Sequence, residues 1–330
     1  MISNFIFQLF NMTRLIITTF FSLLISITIT AASNSDSAFI ESPVILHTTT
    51  GDIFGTLTIP KNLNKIPVTL IIAGSGPTDR NGNNQMMKNE SLKMLVYSLA
   101  NNGIASLRFD KRGIGESMSA GKKESDLRFE DYINDAKAWI ELLKKDDRFS
   151  KVIVIGHSEG SLIGMIASNN LSDGFVSIAG AGRSADKIIK EQLAGQPKAV
   201  QDLCFPIIDS LVLGKTVKNV SASLYSLFRP GVQPYMISWF HYDPQTEIKK
   251  LNIPVLVVQG TNDIQVSEEE ANLLSKANMH AQLVFIKKMN HIFKIIDGDK
   301  NENIASYNDP SLPISEELTN KIAAFIKKLP

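Results

Sequence analysis

The clearest chemistry in this chain lies in Gly156-His157-Ser158-Glu159-Gly160. An apolar run, Val152–Ile155, precedes it and a helical pattern, Glu159–Ser168, follows. The spacing therefore predicts a sharp strand-to-helix turn with Ser158 at its apex. Gly156 and Gly160 leave room where side chains would collide, and the turn lifts the serine hydroxyl off the sheet edge. The helix start also directs backbone N–H groups toward negative charge developing there. A serine hydroxyl is a poor nucleophile until a base takes its proton. The chain offers His47, His157, His241, His280 and His291. His291 follows the strand pattern Gln282–Ile286 within Lys288-Met289-Asn290-His291, at the C-terminal end of a strand, where α/β sites form. His157 adjoins the serine but is expected to point elsewhere on the turn. His47 falls in an opening hairpin, His241 in a helical stretch and His280 just before a strand.

A third group must hold the imidazole and stabilise its protonated form. Asp263, in Gly260-Thr261-Asn262-Asp263, follows the strand pattern Pro254–Gln259. The members come in the order Ser158, Asp263, His291, separated by 105 and 28 residues. The second interval accommodates one helix and one strand. An oxyanion site is legible too. The run Val68–Ala73 leads into Gly74-Ser75-Gly76-Pro77-Thr78, whose glycines let backbone N–H groups approach a substrate oxygen closely. The Ser75 N–H is expected to act with that of Glu159. Together these residues point to nucleophilic acyl transfer without metal or organic cofactor.

Elements able to position such a site recur along the chain. Short strands around Thr48–Asp52 open it as a hairpin. Val68–Ala73, Ile104–Phe109, Lys151–Gly156, Phe175–Ala179, Pro254–Gln259 and Gln282–Ile286 read as buried strands. Ser91–Asn101, the run from Phe129 to Leu143, and Leu318 to Leu329 carry helical spacing. Apolar strands alternating with helices predict an α/β fold: a mostly parallel sheet covered on both faces, with an antiparallel edge from the hairpin. Between Gly180 and Pro254 no strand pattern occurs. Residues 183–245 are expected to be a helical cap insertion between core segments 34–182 and 246–330.

The chain has 330 residues, with 34 basic against 33 acidic side chains. This balance excludes a strongly basic nucleic-acid binder. A single cysteine, Cys204, excludes an intramolecular disulfide framework and multi-cysteine metal sites, and its apolar neighbours suit inert packing. Residues 1–33 have Arg14 as their only full side-chain charge, then an apolar run Leu15–Ile29 and small residues Ala31, Ala32 and Ser33. That pattern predicts a signal peptide and export to the periplasm or medium. The alternative is an uncleaved N-terminal membrane anchor. Met12-Thr13-Arg14 offers a second start directly before the apolar run.

The residues around the predicted site resemble a known superfamily. Ile72 to Gly82, with Gly74-Ser75-Gly76-Pro77-Thr78-Asp79-Arg80 at its centre, resembles a bacterial branch of the α/β-hydrolases. That branch holds serine esterases and dienelactone-hydrolase-like or serine-aminopeptidase-like proteins. Arg108-Phe109-Asp110-Lys111-Arg112-Gly113-Ile114-Gly115-Glu116-Ser117 is similar to its segment after the fourth strand, and Pro234-Tyr235 with Ser238-Trp239-Phe240 to the end of its cap. Ala73 departs from the histidine that many members carry before the glycine, but the backbone donor does not depend on it. The resemblance implies the α/β-hydrolase fold and hydrolysis of small-molecule carboxylic esters through an acyl-enzyme. Amide hydrolysis by the same fold, and a non-catalytic binding protein on the scaffold, are the alternatives. Leu224, Leu227, Phe228, Trp239 and Phe240 are expected to form a closed acyl pocket favouring short chains. Asp110 and Arg112 are expected to pair and brace their loop. Asp79 and Arg80 either line the site or brace the oxyanion turn. Gly180-Ala181-Gly182-Arg183-Ser184-Ala185 matches a dinucleotide-binding pattern, but a second strand ending in an acidic residue does not follow.

Overall fold

The computed structural model describes residues 38–61 and 64–330; the expected signal peptide lies outside them. Among the described residues, no helix is long and apolar enough to cross a membrane. Eight strands among the described residues form one sheet: β1 (Phe39–Thr48), β2 (Gly51–Pro60), β3 (Ile66–Ile72), β4 (Ala105–Phe109), β5 (Phe149–His157), β6 (Gly174–Ile178), β7 (Val255–Gly260) and β8 (Ala281–Ile286). Their spatial order is β1-β2-β4-β3-β5-β6-β7-β8. β1 and β2 form the hairpin, β2 runs antiparallel to β4, and every pairing from β4 to β8 is parallel.

Alternation along β3 explains why the central strands read as unbroken apolar runs. Val68, Leu70 and Ile72 face one layer of helices, while Ile71 and Ala73 face the other. The first layer includes Trp139 and Ile140 of the helix Phe129–Lys144 and Ile163 of the helix Glu159–Ser168. The second includes Leu95 and Leu99 of the helix Ser91–Asn101 and Ile322 and Ile326 of the helix Glu316–Lys327. Both faces are therefore sealed, as a parallel sheet requires.

Between β6 and β7 the chain is helical, without a strand. The helices Ala185–Ala194, Lys198–Val212, Tyr225–Phe228, Gln233–Phe240 and Pro244–Lys249 occupy this stretch. The first four bury a cluster of their own around Ile208, Leu211, Phe228 and Met236, and free Cys204 packs within it. Trp239 joins this cluster to the helix layer over the sheet by stacking on Phe129 of the helix Phe129–Lys144, 5.9 Å between centroids.

The dinucleotide-like turn has a structural explanation. Its Gly182 and Arg183 N–H groups both donate to Glu270 Oε2 at 2.9 Å, so a carboxylate of the chain itself occupies the anion position. The loop ion pairs differ from expectation. Asp110 bonds Arg80 (2.7 Å) rather than Arg112, whose guanidinium instead grips Asp135. The turn after β4 swings these neighbouring side chains to different partners. Asp79 accepts the N–H groups of Asn81 and Asn83, each at 2.8 Å, and thus braces its own turn.

Candidate active site

Ser158 stands between β5 and the helix Glu159–Ser168 with φ 55° and ψ −120°. Positive φ is strained for a residue with a Cβ, and the packing around this turn enforces it. Gly156 passes so close to the helix that a Cβ there would lie 2.2 Å from the Gly160 carbonyl oxygen. A Cβ on Gly160 would lie 2.3 Å from the Ile72 carbonyl oxygen. Glycine at both positions thus lets β3, β5 and the helix converge beneath the serine.

His291 and Asp263 meet across the ends of β7 and β8. His291 Nδ1 lies 2.8 Å from Asp263 Oδ2, and both side chains are almost fully buried. Asp263 is also held by its own loop: Oδ1 accepts the Gln265 and Val266 N–H groups at 2.8 and 3.0 Å, and Oδ2 accepts Gln259 Nε2 at 3.1 Å. Burial alone would raise this carboxyl's pKa, but His291 and the backbone donors outweigh it and hold it below the ordinary aspartate value. An ionised carboxylate can only accept, so the hydrogen of this contact lies on His291 Nδ1 and Nε2 is left facing away from Asp263. The His291 loop is fixed from behind by Asn290, whose amide donates to Asn303 Oδ1 (3.0 Å) and Ser306 Oγ (2.8 Å).

His157 does not point away from the site. Its ring packs against His291, 4.7 Å between centroids, and Nε2 donates to the His291 carbonyl at 2.9 Å. Burial, then the neighbouring His291, push its pKa down to about 3. It therefore stays neutral beside the His291 imidazole and adds no competing charge. Its position next to Ser158 was the only sequence signal for this contact.

Gly74, Ser75, His157, Ser158 and His291 line one small cavity of about 30 Å³. Among the described residues, the Ser158 hydroxyl makes no hydrogen bond within 3.5 Å. Gly74 lies directly beneath, where a Cβ would come within 3.2 Å of Ser158 Cβ. The Ser75 and Glu159 N–H groups enter no backbone hydrogen bond among the described residues, and Glu159 opens its helix, where N–H groups have no helical partner.

Ser75 also borders a larger cavity of about 220 Å³, lined among others by Lys111, Tyr132, Glu159, Leu227, Tyr235 and Trp239. Of the five residues expected to form an acyl pocket, Leu227 and Trp239 line it. Leu224, Phe228 and Phe240 instead turn into the helical cluster. The wall is more polar than apolar patterning implied. Tyr235 donates to Glu159 Oε1 at 2.7 Å, and Lys111 is buried beside them. His47, paired with exposed Asp52, lines neither cavity, and Asp79 and Arg80 do not line them either. Among the described residues, no group of His, Cys, Asp and Glu side chains could hold a metal ion.

Residues 88–227 match a family model described as serine aminopeptidase, S33. The esterase EstD of Thermotoga maritima is 27% identical over 268 residues, covering 77% of this chain but only 60% of that protein. Among solved structures, Est1E from Butyrivibrio proteoclasticus superposes with a TM-score of 0.56 at 18% identity, over 87% of this chain and 99% of its own. The Pyrococcus furiosus esterase Pf2001 does so with a TM-score of 0.57 at 17% identity, over 92% and 96%. These likenesses run through the same sheet that carries the Ser158 turn, and the chain has the α/β-hydrolase fold.

Proposed function

We propose that the protein is a serine hydrolase of carboxylic esters, with Ser158 as nucleophile, His291 as base and acid, and Asp263 as its orienting carboxylate. The observation that carries this reading is the 2.8 Å Asp263–His291 contact beside a serine held at φ 55° on a strand-to-helix turn. Ser158 Oγ bonds to the substrate carbonyl carbon as its proton passes to His291 Nε2. The carbonyl π pair moves onto oxygen, which faces the Ser75 and Glu159 N–H groups. Collapse re-forms the carbonyl and breaks its bond to the alcohol oxygen, which takes the proton from His291. Water then repeats the sequence on the acyl-enzyme, releasing the acid and restoring the Ser158 hydroxyl.

The acyl group is assigned to the cavity under residues 183–245, which act as the cap. Each buried CH₂ contributes about 0.8 kcal/mol until the pocket is full. Overpacking then costs ~1–3 kcal/mol, so short acyl chains are favoured. The decisive assay is kcat/KM for p-nitrophenyl esters from acetate to palmitate, with wild type and Ser158→Ala. Activity should peak at short chains, and the variant should lose about 10⁶ in kcat. Full activity in Ser158→Ala would refute the reading, and a steady rise to palmitate would refute the chain-length preference.

Amide cleavage is the second reading, supported by the family description serine aminopeptidase. Aminoacyl p-nitroanilides in the same assay separate the two. Export with removal of residues 1–33 is proposed from the leader pattern alone. N-terminal sequencing of exported protein should then begin near Ser33 or Asn34, and an intact Leu15–Ile29 segment would exclude cleavage.

A further inference from the structure

Behind the proposed oxyanion site lies a buried polar cluster that the steps above do not use. Lys111 follows β4 and is 1% exposed. Its Nζ donates to the Gly74 carbonyl at 2.6 Å and lies 3.5 Å from Glu159 Oε2. It also stands 5.2 Å from the centroid of the Tyr132 ring. Burying an ammonium is costly, and an apolar side chain of similar volume would be no less stabilising in many such places. The contacts made by this one are therefore informative.

The Gly74 carbonyl and the Ser75 N–H are opposite ends of one trans peptide plane, so fixing the first fixes the direction of the second. A cation on the carbonyl also draws electron density from the N–H and makes it a stronger donor. The other partner of the ammonium, Glu159, carries the second oxyanion donor on its own backbone. Its side chain is anchored at both oxygens, by Lys111 and by Tyr235. One buried cation thus touches both segments that supply the donors.

We propose that Lys111 is the positioning residue of the oxyanion site, holding the Gly74 carbonyl and the Glu159 carboxylate so that the Ser75 and Glu159 N–H groups converge on one point. The inference rests on the assignment of Ser158 as nucleophile. A different role, simple neutralisation of Glu159, would place the ammonium closest to the carboxylate. Here the closer partner is the carbonyl, at 2.6 Å against 3.5 Å.

The test compares wild type, Lys111→Met and the double variant Lys111→Met/Glu159→Gln, with Ser158→Ala as control. Turnover of p-nitrophenyl acetate and inhibition by a trifluoromethyl ketone, which forms a tetrahedral adduct with a serine, are the readouts. Loss of one oxyanion donor costs about 10²–10³ in kcat. Lys111→Met should therefore lose about 10² in kcat with KM changed by less than about twofold, and the inhibitor constant should rise by the same ~10². The double variant, which leaves no unpaired buried charge, should stay equally slow. It also decides the question if Lys111→Met alone does not fold. Wild-type kcat in Lys111→Met, recovery in the double variant, or a loss expressed in KM alone would overturn the proposal. Wild-type turnover that survives Ser158→Ala would overturn the active-site reading itself, and this inference with it.

Discussion

His157 should make the protein lose stability in mild acid, by an amount that follows from its surroundings. The ring is 8% exposed, its Nε2–H is committed to the His291 carbonyl, and its pKa is pushed down to about 3. In the unfolded chain the same ring titrates near its ordinary value of about 6.5. Below that pH the unfolded state takes up a proton that the folded state refuses, so stability falls with pH. The slope approaches about 1.36 kcal/mol per pH unit between about pH 6.5 and the folded value. Integrated from about pH 8 to about pH 5, the loss is about 2 kcal/mol. A folded value one unit higher would barely change this figure, because nearly all the titration at pH 5 is still in the unfolded chain. The assay is urea unfolding at several pH values across this range, for wild type and His157→Gln. Glutamine keeps an N–H donor for the His291 carbonyl but does not titrate. The stability advantage of wild type over the variant should shrink by about 2 kcal/mol toward pH 5. Parallel curves would show that His157 titrates alike in both states, and the argument from burial would fail.

Asp263→Asn should lower kcat by about 10⁴, by favouring the wrong His291 tautomer, yet remain less damaging than Ser158→Ala. Steady-state kinetics showing equal losses would contradict the role assigned to the carboxylate. Gly160→Ala should destabilise the fold by at least about 3 kcal/mol, because its Cβ would lie 2.3 Å from a backbone carbonyl of β3 that cannot swing aside. Thermal melting near that of wild type would refute this. Trp239→Ala removes a wall of the larger cavity and should shift the preferred p-nitrophenyl ester toward longer acyl chains; an unchanged optimum would place the acyl group elsewhere.

The sequence by itself determined the parts whose physics is local. A buried strand must be apolar on both faces, so Val68–Ala73 and Val152–Ile155 announced themselves. The turn at Ser158 needs glycine two residues to either side, and that requirement is written within five consecutive residues. Strand ends that follow in order then located Asp263 and His291. The helix Lys300–Ser306 was not legible, since its short polar sequence carries no apolar stripe. What only the tertiary structure decided is the pairing of buried polar groups far apart in the chain. His157 holds a carbonyl 134 residues away, and Lys111, 37 residues on from Gly74, reaches that glycine at the end of the neighbouring strand. Asp110 took Arg80 in place of nearby Arg112, and only some of the cap's apolar residues faced the cavity. Apolar burial is non-directional and leaves a periodic trace in sequence. A buried hydrogen bond depends on which strands end up adjacent and at what register, and that is settled only when the sheet has formed.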